Sequence, residues 1–197
     1  MTLADKVTSL RLILAPSFFV LYLLPHKKLS GVLPGDPDDF KWVVPVLWGL
    51  FILSEITDLV DGKIARSRKE VSDFGKLFDP FADVLVRITY FLCFVLDGIL
   101  PPLFFLVILY REIGIQFLRN LMLKKGVVMG ARKGGKIKAV TYMLAGVVAL
   151  LAASVERLGF EAGISLLLRM SAQVVFGMAM VTSIVSFLDY LAIYTKQ

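Results

Sequence analysis

The sequence predicts an all-α integral membrane protein with six transmembrane helices, and three observations lead there. Hydrophobic residues make up 57% of the chain and charged residues 19%, an apolar share well above that of soluble domains. The apolar residues gather into six runs of spanning length, since about 20 residues at about 1.5 Å each cross about 30 Å of hydrocarbon. Short breaks rich in glycine, proline and charge separate the runs. The runs and their links use almost all of the 197 residues, so one transmembrane domain, 1–197, is expected.

The first run, 7–24, carries Lys6 and Arg11 ahead of an apolar stretch to Leu24, which imitates a secretory signal. Pro25-His26-Lys27-Lys28 follows it with no small-residue cleavage site, so it reads as a first helix, with His26 solvated at its end. The second run, 41–60, comes after Gly35-Asp36-Pro37. The third, 80–99, opens on Asp79-Pro80, the pattern of an N-cap aspartate with proline at the first helical position. Its Cys93 is the single cysteine, can form no internal disulfide and reads as packing. Gly98 and Pro101-Pro102 set off the fourth run, 101–122; Gly130, Gly134 and Gly135 set off the fifth, 138–155. The sixth, 166–192, lies beyond Gly159 and Gly163 and exceeds one spanning length, which implies tilt or an interfacial extension.

Charge orients the bundle. The net charge is +6, but the basic residues flank apolar runs with no stacking aromatics between them, which excludes nucleic acid as a partner. Anionic lipid headgroups and phosphorylated substrates remain. Lys63, Arg66, Arg68, Lys69 and Lys76 follow the second run, and Lys124, Lys125, Arg132, Lys133, Lys136 and Lys138 follow the fourth. The opposite loops hold only Lys27, Lys28, Lys41 and Arg157, with Arg169 at an edge. Basic loops face the cytoplasm. Both termini and the link 58–83 are therefore expected on the cytoplasmic side of the inner membrane, with Trp42, Tyr190 and Tyr194 as interfacial anchors.

That link carries the chemistry. In "DLVDGKIARSRKEVSDFGKLFDPFAD", Asp58 and Asp61 are three apart and Asp79 and Asp83 four apart, so each pair lies on one helix face. Four carboxylates gathered at a membrane boundary repel one another and need a cation. Hard oxygen ligands suit Mg²⁺ or Mn²⁺, and four aspartates can hold two such ions, an arrangement that clamps displacement at phosphorus. Gly62 allows close backbone approach, Ala65 leaves room one turn beyond Asp61, and Arg66 can fork onto phosphate oxygens. The plainer alternative is a solvated face in which the aspartates pair with Lys63, Arg66, Lys69 and Lys76.

Asp58-x-x-Asp61-Gly62-x-x-Ala65-Arg66, eight residues, Gly75, three residues, Asp79, three residues, Asp83 resembles the complete signature of the CDP-alcohol phosphotransferase family. The resemblance implies six transmembrane helices, a homodimer, and metal-dependent transfer of a phosphatidyl group from CDP-diacylglycerol to an alcohol, with release of CMP. It also implies that Asp58, Asp61, Asp79 and Asp83 hold two metal ions, that Asp83 is the general base, and that Gly62, Ala65, Arg66 and Gly75 line the CDP site.

The acceptor rests on other residues. Arg111, Glu112 and Arg119 lie in or near an apolar helix, where arginines are costly and usually functional. With Lys136 and Lys138 they can form a phosphate pocket; the alternative is an Arg111–Glu112 internal pair, with the lysines as topology signals. The pattern, with Gly135-Lys136-Ile137-Lys138 and a first helix holding Thr8, Arg11 and Pro16, is similar to the branch of the family whose acceptor is sn-glycerol 3-phosphate. Asp5, where that branch has asparagine, and Val84, where lysine is common, depart from it. Branches that use inositol phosphate or serine share the core signature. A cation transporter is the other class, disfavoured because no acidic partners stand at mid-depth on other helices.

Overall fold

The computed structural model describes residues 3–25, 40–68, 73–127 and 133–195, with side chains over 8–25, 40–57, 78–127 and 134–195. The elements are α1 (Leu3–Leu23), α2 (Val43–Arg68), α3 (Asp73–Leu96), α4 (Pro102–Lys124), α5 (Lys133–Arg157) and α6 (Ala162–Tyr194), with no strand among the described residues. Each helix overlies one predicted run, so the all-helical reading holds.

Among the described residues, two helices, α5 from Gly134 and α6, are long and apolar enough to cross a membrane by length and composition. Thr8–Leu23 and Val43–Thr57 are shorter apolar stretches. Within α2, α3 and α4, apolar length is interrupted by Asp58 and Asp61, by Asp79, Asp83 and Arg87, and by Arg111, Glu112 and Arg119. The 33 residues of α6 extend about 50 Å, more than one hydrocarbon thickness.

Several helix boundaries differ from the sequence expectation: α2 runs on past 60 to Arg68, and α6 starts at Ala162, so Gly163 lies inside it rather than in a break. α3 starts at Asp73, so Asp79 is no N-cap and Pro80 lies inside the helix. Proline removes one backbone hydrogen bond there. Side-chain contacts made by Asp79 and Asp83 to α1 offset that loss and keep the turn helical. α5 starts at Lys133, so Gly134 and Gly135 belong to its first turn rather than to a break. Gly130 and Arg132 lie outside the described residues.

The chain instead stops α4 at Gly126, which has a φ of 76° and whose amide donates to the Leu123 carbonyl. The next amide, Val127, donates back to the Met122 carbonyl. This pair of bonds is a Schellman closure, and only glycine adopts such a φ at no steric cost. Gly98 ends α3 in the same way.

The chain divides into two compact units, Met1–Cys93 and Phe94–Gln197. In the first, α1 packs against α2, and an aromatic cluster fills the core. Phe18 lies 5.7 Å from Tyr22 and 4.4 Å from Tyr90, and Tyr90 lies 5.5 Å from Phe51, between ring centroids. Such tilted and offset pairs add to the area they bury. Cys93 is fully buried on α3, as its packing role requires.

In the second unit, α5 and α4 both pack against α6. α5 buries Ala145, Ala149, Ala152 and Ala153, and α6 buries Ala172, Ala179, Ser183 and Ser186. Small residues let helix backbones approach closely without relying on a hydrophobic drive that lipid would cancel. Lipid-compatible hydroxyls are handled within each helix: Ser17, Thr89 and Ser171 donate to the carbonyls of Ile13, Leu85 and Leu167, four residues back. One end of this unit is closed by ions. Arg169 donates to both carboxylate oxygens of Glu156 and to the Asp97 carbonyl, and Arg157 pairs with the Asp97 carboxylate at 3.3 Å.

Candidate active site

The four signature aspartates occupy two helices, as the spacing predicts: Asp58 and Asp61 on α2, Asp79 and Asp83 on α3. Gly62, Ala65 and Arg66 continue along α2, and Gly75 lies in the first turn of α3. The side chains of Asp58, Asp61, Ala65 and Arg66 lie outside the described residues, as does the immediate environment of Gly62 and Gly75. The site is therefore built from Asp79 and Asp83.

These two stand one turn apart on one face of α3. Arg11 of α1 reaches between them. One guanidinium nitrogen donates to Asp79 Oδ1 at 2.6 Å and the other to Asp83 Oδ1. Thr8, one turn earlier on α1, donates its hydroxyl to Asp79 Oδ1 at 3.4 Å. Arg11 is 1% exposed, which makes it one of the most deeply buried large side chains of the protein. A charge buried this far is stable only when paired and hydrogen-bonded. Below it, the Phe18–Tyr90–Phe51 cluster fixes α1, α2 and α3, so the clamp stands on a packed base. Beside it, Arg11, Ser54, Glu55, Asp83, Val86 and Arg87 line a small recess.

From sequence, Arg11 stood out as a charge in an apolar run and, with Thr8 and Pro16, as part of the first-helix pattern, but with no role attached. The rule that an arginine in such a run is functional applies to it as it does to Arg111, but its resemblance to a signal-peptide n-region masked it. Nothing in local spacing points from Arg11 to residues near position 80.

The described half of the aspartate set suits a divalent cation. Both carboxylates turn one oxygen to the same guanidinium, so they converge rather than splay. The donors are hard carboxylate oxygens of the kind Mg²⁺ and Mn²⁺ take. Among the described residues no group of three or more His, Cys, Asp or Glu comes together, and the side chains of Asp58 and Asp61 lie outside them.

The basic residues proposed for the acceptor belong to the second unit, and the structure sorts them into two kinds. Arg111 is buried and fully engaged: Nη1 donates to Glu112 Oε1 at 2.9 Å, Nη2 to the Ser186 hydroxyl at 2.9 Å, and Nε to the Ser183 carbonyl at 3.2 Å. The Arg111–Glu112 pair, raised from sequence as an alternative, is present. Lys138 joins it, with Nζ 2.8 and 3.1 Å from the two Glu112 oxygens and 4.8 Å from the centre of the Tyr142 ring. Two cations thus share one buried carboxylate.

Arg119 and Lys136 differ. Arg119 is half-buried with its guanidinium carbon 6.0 Å from the centre of the Tyr190 ring, and its Nε has no hydrogen-bond partner among the described residues. Lys136 is exposed in the first turns of α5. Tyr190 is 2% exposed beneath Arg119, which corrects its assignment as an interfacial anchor. Tyr194 carries Lys125 Nζ 4.8 Å from its ring centre, and Trp42 is exposed.

Comparison with known proteins covers nearly the whole chain. A family profile described as CDP-alcohol phosphatidyltransferase matches residues 1–188. A Treponema pallidum protein named CDP-diacylglycerol–glycerol-3-phosphate 3-phosphatidyltransferase is 39% identical over 97% of this chain and 88% of its own length. A Bacillus subtilis protein of the same name is 34% identical over 73% of each chain. One from Cereibacter sphaeroides, again of that name, is 32% identical over 80% of this chain and 66% of its own.

Proposed function

The chain belongs to the CDP-alcohol phosphatidyltransferase family, and from that premise we propose that it transfers the phosphatidyl group of CDP-diacylglycerol to sn-glycerol 3-phosphate, giving phosphatidylglycerophosphate and CMP. The observation that carries the acceptor is the 39% identity, along 97% of the chain, with a relative whose name states that reaction. The complete aspartate signature supports the donor and the chemistry.

Asp58, Asp61, Asp79 and Asp83 would hold two Mg²⁺ or Mn²⁺ ions, whose contribution when bound is to neutralise the diphosphate and stabilise the departing CMP. Asp83 accepts the proton of the acceptor hydroxyl as its oxygen forms a bond to the phosphatidyl phosphorus and the bond to CMP breaks. Arg11 and Thr8 hold Asp79 and Asp83 in register for this. Arg66 forks onto the nucleotide diphosphate, and Gly62, Ala65 and Gly75 leave room for the cytidine end.

Arg119 and Lys136 take the acceptor phosphate directly. Arg111 and Lys138 support that pocket through Glu112, where two cations on one carboxylate leave a positive excess. The whole chain acts as one catalytic domain in a homodimer, with six membrane-spanning helices and the site at the cytoplasmic face of the inner membrane. The basic loops after α2 and α4 support that orientation, and lipid tails can then stay in the bilayer while headgroups react at its surface.

The test is direct. Purified protein in detergent with CDP-diacylglycerol and Mg²⁺ or Mn²⁺ releases CMP when glycerol 3-phosphate is added. Release with serine or an inositol phosphate instead overturns the acceptor, and no release with any alcohol overturns the enzyme.

A further inference from the structure

Arg11 occupies a peculiar position for a cation. Its side chain is 2% exposed, whereas those of Asp79 and Asp83, which it joins, are 45% and 28% exposed. The guanidinium therefore approaches the two carboxylates from the packed interior, and the carboxylates open on the other side. The Arg11 guanidinium donates to both of the aspartates that belong to the proposed metal set, and to the Thr8 hydroxyl at 3.5 Å.

We propose that Arg11 is a positioning residue that serves as a built-in counter-cation: it keeps Asp79 and Asp83 converged when the site carries no divalent ion, and a bound ion takes over part of that neutralisation. The proposal rests on the reading that these aspartates hold divalent ions. It follows from charge alone. Two carboxylates one turn apart repel, an interior cation relieves the repulsion, and a second cation arriving from the open side is repelled by the first. Arg11 and the metal are then partly redundant, and their coupling is reciprocal. A protein without the arginine depends more on metal for its stability and binds that metal more tightly. An arginine that served only as packing would instead stabilise the fold equally with and without metal.

The experiment compares wild type, Arg11→Met and Arg11→Gln, with Arg11→Lys as the charge-retaining control, in detergent. Tm is measured in EDTA and in Mn²⁺, and Mn²⁺ affinity by titration of the free-ion EPR signal. The expected result is a larger Mn²⁺-induced rise in Tm for both uncharged variants than for wild type. It is accompanied by an apparent Kd for Mn²⁺ that is lower by roughly tenfold. Arg11→Lys returns the wild-type response. An equal or smaller Mn²⁺ shift in the uncharged variants overturns the proposal. So does failure of both uncharged variants to fold with Mn²⁺ present, since metal would then not replace the arginine. Folding of those variants only with Mn²⁺ upholds it. A wild-type protein that neither responds to Mn²⁺ nor releases CMP overturns the metal reading itself, an outcome distinct from a wild type that responds as the variants do.

Discussion

The two charged clusters of the protein are inverses of each other. In the first unit one buried arginine, Arg11, serves two carboxylates, Asp79 and Asp83. In the second, one buried carboxylate, Glu112, serves two cations, Arg111 and Lys138. Each arrangement pairs charges that an apolar setting would otherwise penalise, and in each the two signs are unequal in number among the residues named. The majority sign is negative where a divalent cation is proposed and positive where a phosphate is proposed. A helical protein can thus hold charge in an apolar interior by sharing one ion between two of the opposite sign.

The largest predicted effect is on the negative side. Asp83→Asn keeps the volume and removes the proposed base, so turnover falls by about 10²–10⁴-fold with the fold retained. CMP release alongside circular dichroism checks this, and retained activity removes Asp83 from the chemistry. Breaking the positive side costs stability instead. Glu112→Ala leaves Arg111 and Lys138 buried without their shared partner and lowers unfolding stability by about 3–5 kcal/mol, measurable as a fall in Tm. A stability like that of the wild type would mean that water replaces the carboxylate.

Arg119→Ala sharpens the comparison from the substrate side. Because Arg119 Nε has no partner among the described residues, its removal strands no buried carboxylate. The apparent KM for glycerol 3-phosphate rises by about tenfold with little change in kcat, and an unchanged KM counts against the pocket. The smallest effect tests the packing beneath. A Cβ added at Gly114 would come within 3.0 Å of the Phe187 ring, so Gly114→Ala costs about 1 kcal/mol of overpacking. No loss of Tm would show that Phe187 swings aside freely.

How much of this was readable in advance depends on distance along the chain. The six helices follow from apolar runs, and the aspartate pairs fall on helix faces because their three- and four-residue spacings are local. The start of α3 was misread, because Asp79-Pro80 has every local mark of a helix start while contacts from α1 carry the helix through it. The Arg11 clamp joins positions some 70 residues apart, and Lys138 reaches Glu112 across 26. No periodicity links such positions. The Arg111–Glu112 pair was visible as neighbours in sequence, but the lysine that shares Glu112 and the serines that complete Arg111 were not.

The hydroxyls that bond back to their own helices bear on how the chain is made. Ser17, Thr89 and Ser171 are satisfied before any neighbouring helix is present. They impose no order on insertion. Arg11 is different, for its carboxylates arrive only with α3, after α2 has been synthesised. The two carboxylates it joins are made some 70 residues after it. The clamp thus forms only once the first three helices have all been made.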